Sequence, residues 1–142
     1  IKFKALNYLS YRPRSNREVK LCLLKKGFHQ DDIDKVLEEL VAKGYLDDES
    51  FAKTYARYLI KFKRLGRIAV VNRFFAHNIN QEILNPILDK LYEKYPPDLL
   101  ISEIVKKKKY PKTSNTINDK KLINYLKRKG FSWSEISTYF NY

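Results

Sequence analysis

The sequence predicts an all-α fold, built as three tandem three-helix, helix-turn-helix-like repeats in an elongated, curved array. Two observations carry this reading. Apolar residues recur at helical spacing along all 142 residues. One tight turn, followed by the same apolar pattern, occurs three times at Gly27, Asn78 and Gly130, spaced 51 and then 52 residues apart.

The copies are LCLLKKGFHQDDIDKVLEEL (21–40), NRFFAHNINQEILNPILDKL (72–91) and NYLKRKGFSWSEISTYF (124–140). Four residues before the turn stand Leu23, Phe74 and Leu126, and one after it Phe28, Ile79 and Phe131. Further on come Ile33, Leu84 and Ile136, then Val36, Ile87 and Tyr139, then Leu37, Leu88 and Phe140. Glycine and asparagine tolerate the left-handed backbone that ends a helix. The apolar residue after each can fold back on the helix just left, and a new helix follows.

Taken in order, the first repeat (1–46) opens with FKALNYLSY, which Pro13 ends, and Ser15 with Glu18 forms a capping box for the next helix. The second repeat (47–95) opens with a long basic helix, ESFAKTYARYLIKFKRL, starting after Asp47-Asp48 and ending at Gly66. Gly66 matches Ser15, both 12 residues before their turns, and Ala5 and Leu9 match Ala56 and Ile60. Asn80 is a good cap for the helix after Asn78. The third repeat (96–142) opens with PDLLISEIVKKKKY after the Pro96-Pro97 boundary, followed by a longer polar loop, Pro111–Asn118. Ser132 with Glu135 is a second capping box. Nine helices and no strands are expected. Units this small share surface with their neighbours, which favours an array.

The net charge of +13 points to a polyanionic partner. Residues 1–30 hold eight basic groups and only Glu18. Residues 31–50 reverse this, with Asp31, Asp32, Asp34, Glu38, Glu39, Asp47, Asp48 and Glu49 against Lys35 and Lys43. Residues 51–75 then carry Lys53, Arg57, Lys61, Lys63, Arg64, Arg67 and Arg73 with no acid, and residues 101–130 ten basic groups against Glu103 and Asp119.

The segments ALNYLSYRPRSNREVKLCLLKKGF, GYLDDESFAKTYARYLIKFKRLGR (44–67) and DKKLINYLKRKGFSWSEI (119–136) resemble the repeats of the RecX family. The middle one carries the most distinctive pattern: an acidic pair, then Phe-Ala, an aromatic-basic helix and a Gly-basic end. Asn78 stands where that family usually has glycine, and the Lys106–Lys109 run with the loop after it is unusual. The resemblance implies a bacterial cytoplasmic regulator that binds the RecA nucleoprotein filament, blocks its growth and suppresses ATPase and strand exchange. The alternative is a sequence-tolerant helix-turn-helix-type DNA-binding protein acting without RecA. The acidic helix DDIDKVLEEL argues against a groove-reading role.

No catalytic constellation, metal spacing or cofactor motif is read, so no enzyme, cofactor or metal is expected. His29 and His77 flank turns, and Asp47 and Asp48 are read as helix caps. The lone Cys22 is expected to be a small buried helix residue. No apolar run long enough to cross a membrane is present. Ile1 is read as an internal start, and a monomer is expected. The expected filament or DNA contacts, to single or double strands by charge, are Lys53, Arg57, Lys61, Lys63, Arg64, Arg67, Arg73, Lys127, Arg128 and Lys129. Arg57, Lys61 and Arg64 are expected to form one helical stripe. Phe51, Tyr55, Tyr58, Leu59 and Phe62 are expected to form the core face of that helix. Tyr58 or Tyr125 could stack on bases. Gly27, Gly66, Asn78 and Gly130 are the structural turn residues.

Overall fold

The computed structural model describes residues 1–108 and 116–141, with only the backbone at 116–119. Among the described residues there are nine α-helices and no strand: α1 (Lys2–Tyr11), α2 (Asn16–Lys25), α3 (Gln30–Ala42), α4 (Asp48–Lys61), α5 (Arg67–Phe74), α6 (Gln81–Lys94), α7 (Pro97–Lys108), α8 (Thr116–Arg128) and α9 (Trp133–Phe140). A short 3-10 turn, Phe75–His77, follows α5. By compactness the chain divides into a first unit, residues 1–55 with 74–84, and a second, residues 56–73 with 85–142.

In the first unit α2 packs against α1 and α3. Its core is Ala5, Val19, Leu23, Ile33, Val36, Leu40 and Leu46, among which Ala5, Leu23, Ile33 and Val36 are positions that the repeat alignment marked. Arg12 is extended ahead of Pro13, as a residue before proline prefers, and this ends α1. Both branches of the Ser15–Glu18 capping box form at the start of α2. Asp47 Oδ1 accepts from the backbone N–H groups of Glu49 and Ser50 at 3.0 and 3.2 Å and so caps α4. Asp48 Oδ1 accepts from the Asn16 N–H at 2.9 Å, satisfying a free donor at the start of α2. Cys22 is half-buried rather than buried.

The turn after α2 closes by two bonds, Phe28 N–H to the Leu23 carbonyl and Gly27 N–H to that of Leu24, with Gly27 at φ +92°. Gly44 closes α3 in the same way at φ +81°, passing Tyr45 N–H to the Leu40 carbonyl. Asn78 is left-handed at φ 51°, ψ 43°, and ends the 3-10 turn. Asn80 Oδ1 accepts from Glu82 N–H at 2.9 Å at the head of α6.

In the second unit α9 packs against α7 and α8. Leu59, Ile60, Leu88, Leu100, Ile101, Leu126, Phe131 and Ile136 are buried there to 2 % exposure or less. The Ser132–Glu135 capping box is complete. Phe131 N–H bonds the Leu126 carbonyl and Gly130 N–H that of Lys127, the bond pair of the Gly27 turn again, with φ +99°.

Four further expectations change. First, α4 stops at Lys61 instead of running to Leu65, because Arg64 turns left-handed (φ 54°) and sends Leu65 N–H back to the Leu59 carbonyl. Second, Tyr58 and Phe62 are 45 % and 63 % exposed, so they leave the core face, which is Phe51, Ala52, Ala56, Leu59 and Ile60 with half-buried Tyr55. Third, Gly66 is not left-handed. It stands immediately before α5, where its carbonyl accepts from Val70 N–H, as that of Ser15 accepts from Val19 N–H before α2. Its lack of a side chain serves close approach: a Cβ there would overlap the Gly130 carbonyl, and Gly66 N–H donates to the Lys129 carbonyl at 2.8 Å. Fourth, α8 begins at Thr116, inside the expected loop, while Lys109 and Pro111–Asn115 lie outside the described residues.

Candidate polyanion-binding surface

Charge is unevenly divided. The first unit holds eleven basic against ten acidic side chains, and the second eighteen against six. The second unit therefore carries nearly all of the net charge.

In the first unit six of the eleven bases meet acids. Lys2 and Lys43 bridge Glu39 at 2.6 and 2.9 Å, and their hydrogen bonds hold the Glu39 carboxyl down to about 2. Arg12 pairs with Glu18 at 2.7 Å, Lys20 lies 3.8 Å from Asp34, and Lys53 lies 3.4 Å from Glu49. Ion pairs at the surface contribute little stability, because water screens them. Their effect is to cancel field.

The same unit holds a polar node. Ser15, fully buried, places its Oγ 2.8 Å from His77 Nδ1 while accepting from Glu18 N–H at 3.2 Å. Glu18 Oε1 is 3.5 Å from the same ring nitrogen. Phe51, Tyr55 and Phe74 surround the imidazole, with the Phe51 centroid at 4.8 Å. Burial pushes the His77 pKa below its ordinary value. Burial would raise the Glu18 carboxyl, but hydrogen bonds from Arg12 and the Ser15 backbone outweigh it and leave it lowered. The node ties the head of α2 to the 3-10 turn. It offers no nucleophile–base–acid arrangement open to a substrate. His29 is exposed at the head of α3 and makes no capping bond.

In the second unit the expected contact residues separate into two kinds. Arg64 Nε donates to Glu103 at 3.0 Å and Arg67 Nη1 to Asp89 at 2.7 Å, so both guanidiniums are occupied. Arg64 also lies beyond the end of α4, which breaks the expected helical stripe; Arg57 and Lys61 remain exposed on α4. Lys63, Arg73, Lys127 and Arg128 are exposed, and Lys129 Nζ donates to the Lys63 carbonyl at 3.0 Å. Lys53 is exposed on the part of α4 that belongs to the first unit.

Lys63, Lys107, Lys108 and Lys129 converge on one groove of about 420 Å³, with Phe62 and Tyr125. Lys108 Nζ sits 3.7 Å from the Tyr125 ring centroid, and Lys129 Nζ is 5.8 Å from it. Tyr58 and Phe62 lie 6.1 Å apart, and Lys61 Nζ is 5.4 Å from the Phe62 centroid. The sequence did not disclose that Glu103 and Asp89 occupy two of the arginines, because those partners are 39 and 22 residues away. Lys107 and Lys108 were visible only as a run.

No cluster of three potential metal ligands occurs among the described residues, and no described helix is long and apolar enough to cross a membrane.

Fold and surface together define a protein that is all-helical among its described residues and whose second unit carries nearly all of the net positive charge. Residues 2–40 match the first three-helix domain of RecX. A protein of Pelodictyon phaeoclathratiforme named Regulatory protein RecX is 31% identical over 136 residues, covering 94% of this chain and 82% of the relative. A Bacillus licheniformis protein of the same name is 33% identical over 135 residues, 94% of this chain and 51% of the relative. The crystal structure of RecX from Lactobacillus salivarius superposes with a TM-score of 0.84 at 25% identity, covering 99% of this chain and 92% of that one. This chain belongs to the RecX family. It spans about half the length of several curated relatives, 51% for that of B. licheniformis and 50% for one from Listeria innocua.

Proposed function

We propose that this chain is a non-catalytic regulator of the RecA recombinase. It binds the RecA–DNA filament in the bacterial cytoplasm as a monomer, without a cofactor. It suppresses filament growth, ATPase and strand exchange. The observation that carries this reading is the match, over 94% of the chain, to proteins named as regulatory. The concentration of charge in the second unit supports a polyanionic target. Its contacts are Lys53, Arg57, Lys61, Lys63, Arg73, Lys127, Arg128 and Lys129. Arg64 and Arg67 support that surface through Glu103 and Asp89. The repeats at 1–46, 47–95 and 96–142 are the divisions along which it lies on the filament.

The helix-turn-helix alternative is disfavoured by α3, the helix after the first turn, where Asp31, Asp32, Asp34 and Glu38 are exposed. Such a face repels phosphates. The test is a titration of RecA's DNA-dependent ATPase: substoichiometric protein lowers the rate, and an unchanged rate at excess protein refutes the reading.

A further inference from the structure

Phe62 is 63 % exposed and adds nothing to the core, and Lys61 Nζ lies 5.4 Å from its ring centroid. Folding does not require an apolar ring there. It shares the groove with Lys63, Lys107, Lys108, Lys129 and Tyr125. Among the described residues no acid pairs with any of these four lysines, and Glu103 beside the groove is occupied by Arg64. A groove that sets lysines beside an exposed aromatic ring offers what a polynucleotide needs when its bases are not stacked on one another. A duplex hides its base faces and offers only phosphates.

We propose that this groove is a binding site for single-stranded nucleic acid, with one base against Phe62 and the flanking phosphates on Lys63, Lys107 and Lys129. The proposal rests on the regulator reading and names which part of the surface takes the strand. Arg64 anchors Glu103 and makes no strand contact. Tyr125 holds Lys108 in place through its ring face.

The test is fluorescence anisotropy of the full chain with a labelled 12-nucleotide thymidine strand at low salt. A 12-base-pair duplex and poly-glutamate serve as the other arms. Phe62→Ala should weaken strand binding about tenfold, and Lys63→Glu with Lys107→Glu at least about tenfold, with the circular dichroism spectrum unchanged. The control, Lys4→Glu with Arg17→Glu, changes exposed bases in first turns of first-unit helices, where a carboxylate is tolerated. It should leave affinity within about twofold, and the duplex should bind at least about fivefold more weakly than the strand. The proposal is overturned if the parent does not bind the strand, or if Phe62→Ala stays within twofold. It is equally overturned if the control costs as much as the groove variant, or if duplex or poly-glutamate does as well as the strand. RecA ATPase measured on the same variants keeps the two readings apart. Loss of strand binding with intact ATPase suppression retains the groove and relocates the RecA contact.

Discussion

The two units use one turn in two settings. After α2, Gly27 turns left-handed in open space, with nothing within 4 Å of where a Cβ would stand. After α8, Gly130 makes the same turn against the Ala69 backbone, and a Cβ would overlap it. The first glycine answers a local backbone need. The second also answers a packing need, shared with Gly66. Charge differs in the same direction: six of the first unit's eleven bases lie within 4 Å of an acid, whereas among the described bases of the second only Arg64 and Arg67 do. A repeated element thus sets the local geometry, and its surroundings set what each copy does.

The sharpest way to break this comparison is to add one methyl group to each turn. Gly130→Ala should cost about 2–5 kcal/mol, from the left-handed backbone plus overlap in a packed site. Gly27→Ala should cost about 1 kcal/mol, from the backbone alone. Urea denaturation of both variants measures the difference, and equal losses would show that the Gly130 crossing carries no packing role.

The two capping boxes give a smaller contrast. Ser15 is buried and also bonds His77, whereas Ser132 serves its cap and is half-exposed. Ser15→Ala should cost about 2 kcal/mol, since it leaves buried groups unsatisfied, and Ser132→Ala about 1 kcal/mol. Thermal unfolding ranks them.

Smallest is the pH response, which belongs to the first unit because both histidines lie in it. Burial lowers the His77 pKa from 6.5; Arg12 adds to this, while Glu18 and Asp48 oppose it. The unfolded chain then takes up a proton first as pH falls. Stability should therefore decline as pH drops through 6.5 toward the lower folded value. The lowered Glu18 carboxyl adds a further loss at more acid pH. Comparing denaturation midpoints at about pH 7 and about pH 5.5 for the parent and His77→Gln checks this. An equal drop in both would place the titration elsewhere.

The local half of the fold was legible. Left-handed turns at Gly27, Asn78 and Gly130, and capping boxes at Ser15 and Ser132, depend on residues three or four apart. Sequence spacing therefore displays them. The end of α4 was hidden because Arg64, a residue that ordinarily continues a helix, takes the left-handed position. Tyr58 and Phe62 were misplaced for a related reason. Their spacing extends one apolar stripe, yet the buried stripe passes through the small residues Ala52 and Ala56 instead. The candidate surface was legible as composition and illegible as arrangement. Lys63, Lys107 and Lys129 meet in one groove only after α7 and α8 have packed, and Ser15 meets His77 across 62 residues.

The most direct measurement is the RecA ATPase titration run on three proteins: the parent, Arg57→Glu with Lys61→Glu in the second unit, and Lys4→Glu with Arg17→Glu in the first. Substoichiometric parent should suppress the rate, with the inhibitory concentration raised at least about tenfold by the second-unit pair and about twofold or less by the first-unit pair. No suppression by the parent, or equal losses from both pairs, would contradict a regulator that acts through its second unit.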